Sequence, residues 1–310
     1  MTRKPILKPT MKPSGPASWN PDPESGIAIE WVEANGLTFE VATAGEGDHL
    51  ALFLHGFPEL HYSWRDQIPL LAAMGYRVWA PNLRGYGGTS RPEGVRAFGM
   101  DNLVEDVAAL IDASGASKVT LFAHDWGGAI AWCFAILAPR KLERFVVMNL
   151  PHPFAFRREL KSWRQLRKSW YIYFFQIPWL PEKLLGRSGA RPIANVFAKT
   201  SCNPQNFGPE VLATYANAAA RPGALTAMLN YYRAVVRHAN TLDLGEGTVD
   251  VPTLMIWGEQ DVALDVRGTD GTDRWVPDFT LERLPEASHW VQQDAPGTVN
   301  AILKQWLPKA

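Results

Sequence analysis

The chain contains little that would mark it as a secreted, membrane-spanning or nucleic-acid-binding protein. Its 310 residues include only two cysteines, Cys133 and Cys202. Two distant thiols make no disulfide framework, which favours a reducing, cytoplasmic compartment. The 31 basic and 31 acidic residues cancel, so we expect no nucleic-acid partner and no attraction to a charged membrane from the net charge. No uncharged apolar run reaches the roughly 18 residues of a spanning helix, so stable membrane insertion is not expected.

The first 25 residues differ in composition from the rest of the chain. Three lysines and four prolines fall within the first 16 residues, and the apolar stretch of a secretory signal is missing. We predict an extended N-terminal arm over residues 1–25 that is poorly ordered at its start.

From about residue 26 the chain alternates short β-rich runs with helical patterns, which indicates a mostly parallel sheet with helices on both faces. The alternation breaks over residues 152–245, where the pattern is helical and rich in aromatic residues. We therefore predict an α/β core, residues 26–151 and 246–310, with a helical cap, residues 152–245, inserted over the carboxyl edge of the sheet. The predicted strands are 31–34, 37–42, 50–54, 77–81, 118–123, 144–149, 253–257 and 280–284. The predicted core helices are 62–74, 101–114, 127–137 and 291–307.

Residues 124–128 carry a motif that points to covalent catalysis. They follow the apolar run 119–123 and precede a helical pattern, so Asp125 would lie on a sharp turn between a strand and a helix, as in a nucleophile elbow. Ala123 and Gly127 are the small residues that such a turn requires. A carboxylate at the centre suits attack on an electrophilic sp³ carbon, because water can cleave the resulting ester. A helix-capping aspartate is the alternative interpretation.

Two later loops supply partners for Asp125 in the order nucleophile, acid, histidine. Asp261 follows the predicted strand 253–257, and His289 precedes the last predicted helix. His289 is the only histidine downstream of both acids. We predict that His289 removes a proton from water and that Asp261 orients its ring.

A glycine-containing loop follows the predicted strand 50–54. Gly56 allows the backbone to approach a bound atom closely. We predict that the backbone N–H groups of Phe57 and Trp126 form an oxyanion hole for the carbonyl of Asp125. The residues predicted to support this loop are His55, Gly56, Pro58 and Glu59.

Several motifs together resemble the soluble epoxide hydrolases of the α/β-hydrolase superfamily. The likeness extends from about residue 26 to the end and is weakest in the predicted cap. It implies an α/β-hydrolase fold and an enzyme without a cofactor or metal, which opens a small-molecule epoxide with water to a vicinal diol. The motifs are residues 55–59, 62–65, 67–69, 75–78, 84–87, 124–128, 258–261 and 288–290.

The same resemblance implies two cap tyrosines that donate hydrogen bonds to the epoxide oxygen. Residues 171–178 match the first tyrosine segment, with Tyr171 as the donor, and residues 230–233 match the second, with Tyr232 as the donor. Tyr173 and Tyr231 are the neighbouring alternatives. A phenol stays protonated at neutral pH and can therefore stabilise the oxygen that becomes negative as the ring opens.

Other functions stay open at this level. A haloalkane dehalogenase has the same aspartate elbow, but commonly carries Asn at the position of Phe57 and needs no cap tyrosines. A fluoroacetate-type dehalogenase would carry Arg in place of Trp126. A non-catalytic binding protein on the same fold is the third alternative, although binding alone would not require the acids, the histidine and both tyrosines.

Overall fold

The computed structural model describes residues 10–238 and 242–310. The strands are β1 (Ala28–Ala34), β2 (Leu37–Ala44), β3 (His49–Leu54), β4 (Arg77–Pro81), β5 (Lys118–His124), β6 (Arg144–Met148), β7 (Thr253–Gly258) and β8 (Phe279–Leu284). Within the described residues they form one sheet of order β1-β2-β4-β3-β5-β6-β7-β8. The β1–β2 and β2–β4 pairs are antiparallel and all the others are parallel. All eight predicted strands are present, with ends shifted by a few residues.

Helices connect these strands and cover both faces of the sheet. They are α1 (Ile68–Ala73), α2 (Met100–Ser114), α3 (Trp126–Leu137), α4 (Pro153–Glu159), α5 (Trp163–Lys168), α6 (Trp170–Phe174), α7 (Leu180–Leu185), α8 (Arg187–Thr200), α9 (Pro209–Ala219), α10 (Ala224–Arg237), α11 (Val291–Asp294) and α12 (Pro296–Trp306). The predicted α/β architecture is therefore confirmed.

Two of the predicted helices were too long. The prediction of one helix over 62–74 is wrong, because a 3₁₀ turn (His61–Trp64) precedes α1, which has Pro69 in its first turn. The predicted helix 291–307 is divided between α11 and α12, and α12 starts at Pro296. Proline lacks an N–H and is accommodated in the first turn of a helix but not in its interior, so each proline lies in the first turn of a new helix.

The apolar core lies on both faces of the sheet. One face packs against α2 and α3 through side chains such as Leu103 and Trp132. The other face packs against α1, α11 and α12 through side chains such as Leu71 and Leu303. The central strands are covered on both sides, which explains why their sequences are continuous apolar runs rather than alternating ones.

The strand register brings four loops together at the carboxyl edge of the sheet. Leu54 at the end of β3 is paired with Ala123 of β5. His124 at the end of β5 is paired with Met148 of β6, and Met148 with Ile256 of β7. The segments that follow β3, β5, β6 and β7 consequently begin side by side, where open α/β sheets bind their ligands.

Helices α4 to α10 lie between β6 and β7, within the segment predicted to form the cap. Residues 239–241 of that segment lie outside the described residues, and the boundaries at 152 and 245 stay a prediction. Across residues 10–238 and 242–310, no helix combines the length and the apolar character needed to cross a bilayer.

The described part of the predicted arm is attached to the rest of the chain. The backbone N–H and the hydroxyl of Ser18 both donate to the buried carboxylate of Glu40 on β2. Arg221, between α9 and α10, donates to the carbonyl oxygens of Pro16 and Ala17 at 2.7 and 2.9 Å. The arm therefore contacts both the sheet and the helical segment. Residues 1–9, where we predicted poor order, lie outside the described residues.

Candidate active site

Asp125 lies on a sharp turn between β5 and α3. Its backbone angles are φ 49° and ψ −119°, and a positive φ is uncommon for a residue with a side chain. Small neighbours make the turn possible: a Cβ on Gly127 would overlap the backbone oxygen of Leu54, and a Cβ on Gly56 would overlap the Asp125 side chain. The Asp125 carboxylate makes no capping hydrogen bond to α3, so the side chain does not serve as a helix cap.

The loop after β3 presents a backbone donor to this carboxylate. The N–H of Phe57 donates to Oδ1 of Asp125 at 2.7 Å. Trp126, the second residue predicted for an oxyanion hole, begins α3. Its backbone N–H makes no hydrogen bond to another described residue, which leaves it available beside Asp125.

The residues predicted to support this loop lie within it. His55 donates from Nδ1 to the carbonyl of Gly56 at 2.9 Å and accepts at Nε2 from the N–H of Leu83 at 3.0 Å. Burial lowers the pKa of His55 to about 4, so this ring is neutral at pH 7 and fits both bonds. The peptide bond between Phe57 and Pro58 is cis.

The ring of His289 lies between the carboxylates of Asp261 and Asp125. Its Nδ1 is 2.7 Å from Oδ2 of Asp261, and its Nε2 is 3.5 Å from Oδ2 of Asp125. Asp261 is held by the backbone N–H groups of Ala263 and Leu264, which donate to its Oδ1 at 2.7 and 2.8 Å. The ring of His289 is thus fixed from one side and faces Asp125 with the other nitrogen.

The surroundings of these three groups favour their charged forms. Burial opposes ionisation of Asp125, but the hydrogen bond and charge of His289 outweigh it and hold the pKa of Asp125 below its usual value. Burial likewise opposes ionisation of Asp261, and His289 again lowers the pKa of that carboxyl group. Burial alone would lower the pKa of His289, but the negative charges of Asp261 and Asp125 raise it well above the ordinary range.

The two predicted cap tyrosines lie together near Asp125. The ring centroids of Tyr171 and Tyr232 are 5.8 Å apart. Burial raises the pKa of both phenols, and the charge of Asp125 adds to the effect in each case. Neither phenol donates a hydrogen bond to another described residue, so both protons are available to a ligand.

The two alternative tyrosines have other environments. The hydroxyl of Tyr231 donates to the backbone oxygen of Arg84 at 2.9 Å, and Tyr173 is 66% exposed on the outer side of α6. The geometry therefore favours Tyr171 and Tyr232 as the pair that faces the nucleophile.

A buried hydrogen-bond network lies next to Asp125. The sequence indicated only one of its members, Glu59, as a residue that supports the loop after β3. His124 contacts Oε2 of Glu59 through Nδ1 at 2.6 Å and donates from Nε2 to the backbone oxygen of His289 at 2.8 Å. Gln292 and Gln293 donate to Oε1 of Glu59 at 2.8 and 2.9 Å. This network joins the loop after β3, the end of β5 and the loop that carries His289.

Asn149 is a site residue that sequence reasoning missed. Its side-chain amide donates to Oδ2 of Asp261 at 2.8 Å, and its side-chain oxygen accepts from the N–H of Gly258 at 2.9 Å. Its backbone has φ 41°, a region that Asn tolerates better than most residues. An asparagine directly after a parallel strand, on the same edge as Asp125 and Asp261, was the available signal.

Comparisons with known proteins identify the fold family of the chain. The family described as alpha/beta hydrolase fold matches residues 52–296. Epoxide hydrolase 4 of Homo sapiens is 40% identical over 283 residues, which cover 89% of this chain and 77% of the relative. The AB hydrolase superfamily protein YfhM of Bacillus subtilis is 38% identical over 284 residues, with 91% and 98% covered. The Bacillus megaterium epoxide hydrolase superposes with a TM-score of 0.82 at 30% identity, over 89% of this chain and 99% of that one.

The chain therefore belongs to the α/β-hydrolase fold family and, within it, to the epoxide hydrolases. The fold that the sequence motifs implied is confirmed.

Proposed function

We propose that this enzyme adds water to an epoxide through a covalent ester on Asp125 and releases a vicinal diol. One observation carries the proposal. A carboxylate on a strained turn faces a histidine that is held by a second acid, and beside it lie two phenols whose hydroxyl groups donate to no other described residue. Phenols that donate at the site of bond breaking suit an oxygen leaving group, which becomes negative as the ring opens. The names of the relatives in human and Bacillus megaterium support the same substrate class.

The two oxygens of Asp125 have different roles in this mechanism. Phe57 holds Oδ1 at 2.7 Å, which leaves Oδ2 to attack the oxirane carbon. The bond from that carbon to the ring oxygen breaks, and its electron pair passes to the oxygen, which Tyr171 and Tyr232 stabilise by donation. The depressed pKa of Asp125 keeps the nucleophile ionised at neutral pH.

Formation of the ester prepares the base for the second step. In the free enzyme, the charge of Asp125 helps to raise the pKa of His289. The ester carries no charge, so the protonated form of His289 is no longer stabilised by Asp125. Its proton can then pass to the oxygen of the opened ring, which becomes the first hydroxyl group. His289 is then neutral and can act as a general base while Asp261 keeps its orientation.

Hydrolysis restores the starting state. His289 removes a proton from water, and the hydroxide adds to the carboxyl carbon of Asp125. The negative charge develops on Oδ1, where the N–H groups of Phe57 and Trp126 donate to it. The ester bond then breaks and releases the diol. The departing oxygen takes the proton of the new carboxyl group and becomes the second hydroxyl. Asp125 is again ionised and His289 again protonated.

Isotope labelling tests the covalent route. In a single turnover in ¹⁸O-water, the label should enter the Asp125 carboxylate, because water attacks the carboxyl carbon, and the diol should contain the original Asp125 oxygen. His289→Gln should trap the ester, which intact-protein mass spectrometry would detect. Label found in the diol at the first turnover and absent from Asp125 would refute the mechanism. Halide release from haloalkanes without diol formation from epoxides would favour the dehalogenase alternative.

A further inference from the structure

The outer side of α5 to α7 exposes large aromatic side chains that do not contribute to the core. Trp163 is 74% exposed, Trp170 64%, Tyr173 66% and Trp179 66%. By contrast, Trp64, Trp132 and Trp257 are fully buried. We call the surface formed by Trp163, Trp170, Tyr173, Trp179 and the exposed basic residues around them the aromatic–basic face.

Part of this face forms a continuous hollow. Trp163, Trp170 and Val262 line a surface depression of about 430 Å³ together with Arg164 and Arg167. Val262 is 54% exposed, so an aliphatic side chain joins the aromatic ones. Asp265 is the acidic residue on the rim. Apolar side chains of this size, exposed next to one another, are typical of a surface that binds a partner.

The neutral charge of the whole chain conceals a strong local excess of positive charge. Residues 157–191 contain nine Lys and Arg residues and only two acids, Glu159 and Glu182, in a chain whose net charge is zero. Both acids are paired, Glu159 with Arg158 and Glu182 with Arg233. Lys168 is also occupied, since it donates to two backbone oxygens of the loop after β7.

The other basic residues of the segment are exposed, and none of their side chains makes a hydrogen bond or an ion pair to another described residue. They are Arg157, Lys161, Arg164, Arg167, Lys183, Arg187 and Arg191. Lys183 also lies 5.9 Å above the ring of Trp179. Cationic and exposed aromatic side chains therefore alternate along residues 157–191, and Arg164 and Arg167 line the same depression as Trp163 and Trp170.

We propose that the aromatic–basic face binds reversibly to the surface of an anionic lipid bilayer. Tryptophan and tyrosine rings partition to the boundary between headgroups and acyl chains, because one end is apolar and the other can hydrogen-bond. Arginine and lysine are attracted to anionic headgroups, and each one near the surface strengthens binding about five-fold. This peripheral contact requires no spanning helix, and it does not depend on the proposed epoxide chemistry.

A bilayer fits the face better than a nucleic acid does. Proteins that bind nucleic acid combine stacking rings with polar side chains that read base edges. Here the side chains between the rings include Ile177 and Val262, which are 42% and 54% exposed and can donate nothing to a base. The apolar boundary of a membrane accommodates them.

Vesicle binding tests the proposal with the full chain. We expect the protein to sediment with vesicles of phosphatidylcholine and phosphatidylserine, mixed about three to one, but not with phosphatidylcholine alone, because the attraction is to anionic headgroups. Added salt should weaken binding, since it screens the cations. Tryptophan emission should shift to shorter wavelength as Trp163 and Trp170 leave water.

Two variants distinguish the face from the rest of the surface. Arg164→Glu with Arg167→Glu should lower the vesicle partition coefficient at least about 25-fold, which is two factors of five. Trp163→Ser with Trp170→Ser should reduce the spectral shift to the part that Trp179 contributes. The matched controls are Lys304→Glu on α12 and Trp31→Ser on β1, both exposed elsewhere, and both should bind as the parent does.

Other outcomes would overturn the proposal. These are equal binding to both vesicle types, no binding to either, or unchanged binding by both face variants. Tighter binding to a single-stranded oligonucleotide or to polyglutamate than to the anionic vesicles would assign the face to a different partner. Diol formation from a water-soluble epoxide, measured without vesicles, should be similar in all variants, which would show that the face variants remain folded.

Discussion

Tyr171 and Tyr232 should each contribute one hydrogen bond to ring opening and nothing to ester hydrolysis. Replacing either with Phe keeps the ring packing and removes one donor. Loss of a transition-state donor costs roughly 2.7–4 kcal/mol, or about 10²–10³-fold in rate. Because the ring centroids are 5.8 Å apart, the remaining phenol can still reach the same oxygen. Each single variant should therefore lose alkylation rate at or below that range, and the double variant should lose far more than either.

The His289→Gln background allows the alkylation step to be measured alone, since the ester should accumulate there. The reaction is stopped with acid at increasing times, and intact-protein mass spectrometry measures the fraction of protein that carries the ester. This fraction gives the rate of ester formation. In the parent background, decay of the preformed ester gives the hydrolysis rate. That second rate should change little in either tyrosine variant, because it depends on His289 and the backbone donors.

The neighbouring tyrosines are the matched controls. Tyr173→Phe should change neither rate, since this side chain is 66% exposed. Tyr231→Phe removes the buried hydrogen bond to Arg84 and should lower the free energy of unfolding by about 1 kcal/mol, without slowing alkylation. If a control variant slows alkylation while Tyr171→Phe and Tyr232→Phe do not, the assignment of the donors is wrong.

Three further perturbations follow from the site. First, the hydrolysis rate of the ester should rise with pH as His289 loses its proton, at a pKa lower than that of His289 in the free enzyme. The alkylation rate should stay constant, because the pKa of Asp125 is depressed. Single-turnover rates at stepped pH would measure both steps, and identical pH profiles would contradict the argument. Second, Gly56→Ala should abolish ester formation with the circular dichroism spectrum unchanged, because its Cβ would overlap Asp125, whereas Gly297→Ala, where a Cβ meets nothing within 4 Å, should remain active. Third, Arg233→Met should slow alkylation but not hydrolysis in the two rate assays. Arg233 donates to the backbone oxygens of Phe175 and Ile177 and so holds the segment after Tyr171 against α10. Arg233→Lys should recover part of the alkylation rate, and equal losses in both steps would exclude this role.

Local patterns were enough to predict the elbow and the order of its partners. Asp125, Asp261 and His289 each follow or precede a recognisable element, and the carboxyl ends of parallel strands meet at one edge. The strands were also predictable, since their apolar runs reflect burial on both faces. The helix prediction over 62–74 failed because Pro69 outweighed the periodicity of the apolar residues.

Contacts between distant segments could not be predicted in the same way. Glu59 meets Gln292 and Gln293 across more than 200 residues, and nothing in the local sequence of either segment indicates the other. Asn149 was included in a predicted strand, where its side chain would have had no special role. Only the backbone conformation at the end of β6 turns its amide towards Asp261.

The attachment of the arm means that the segment matched by the family is shorter than the unit that folds. The match begins at residue 52, inside β3, and so omits β1, β2 and the arm. Glu40 on β2 is fully buried, and although burial opposes it, His61 and the donors around the carboxylate, Ser18 among them, lower its pKa to about 2. A fragment that begins at residue 52 would lack Glu40 and leave His61 without its carboxylate partner. A fragment that begins after Ser18 would keep the Glu40 carboxylate but lose the two hydrogen bonds that Ser18 donates to it. The choice of the first residue in an expressed fragment therefore decides whether the buried contact between Glu40 and His61, both more than 60 residues before Asp125 in the sequence, is intact.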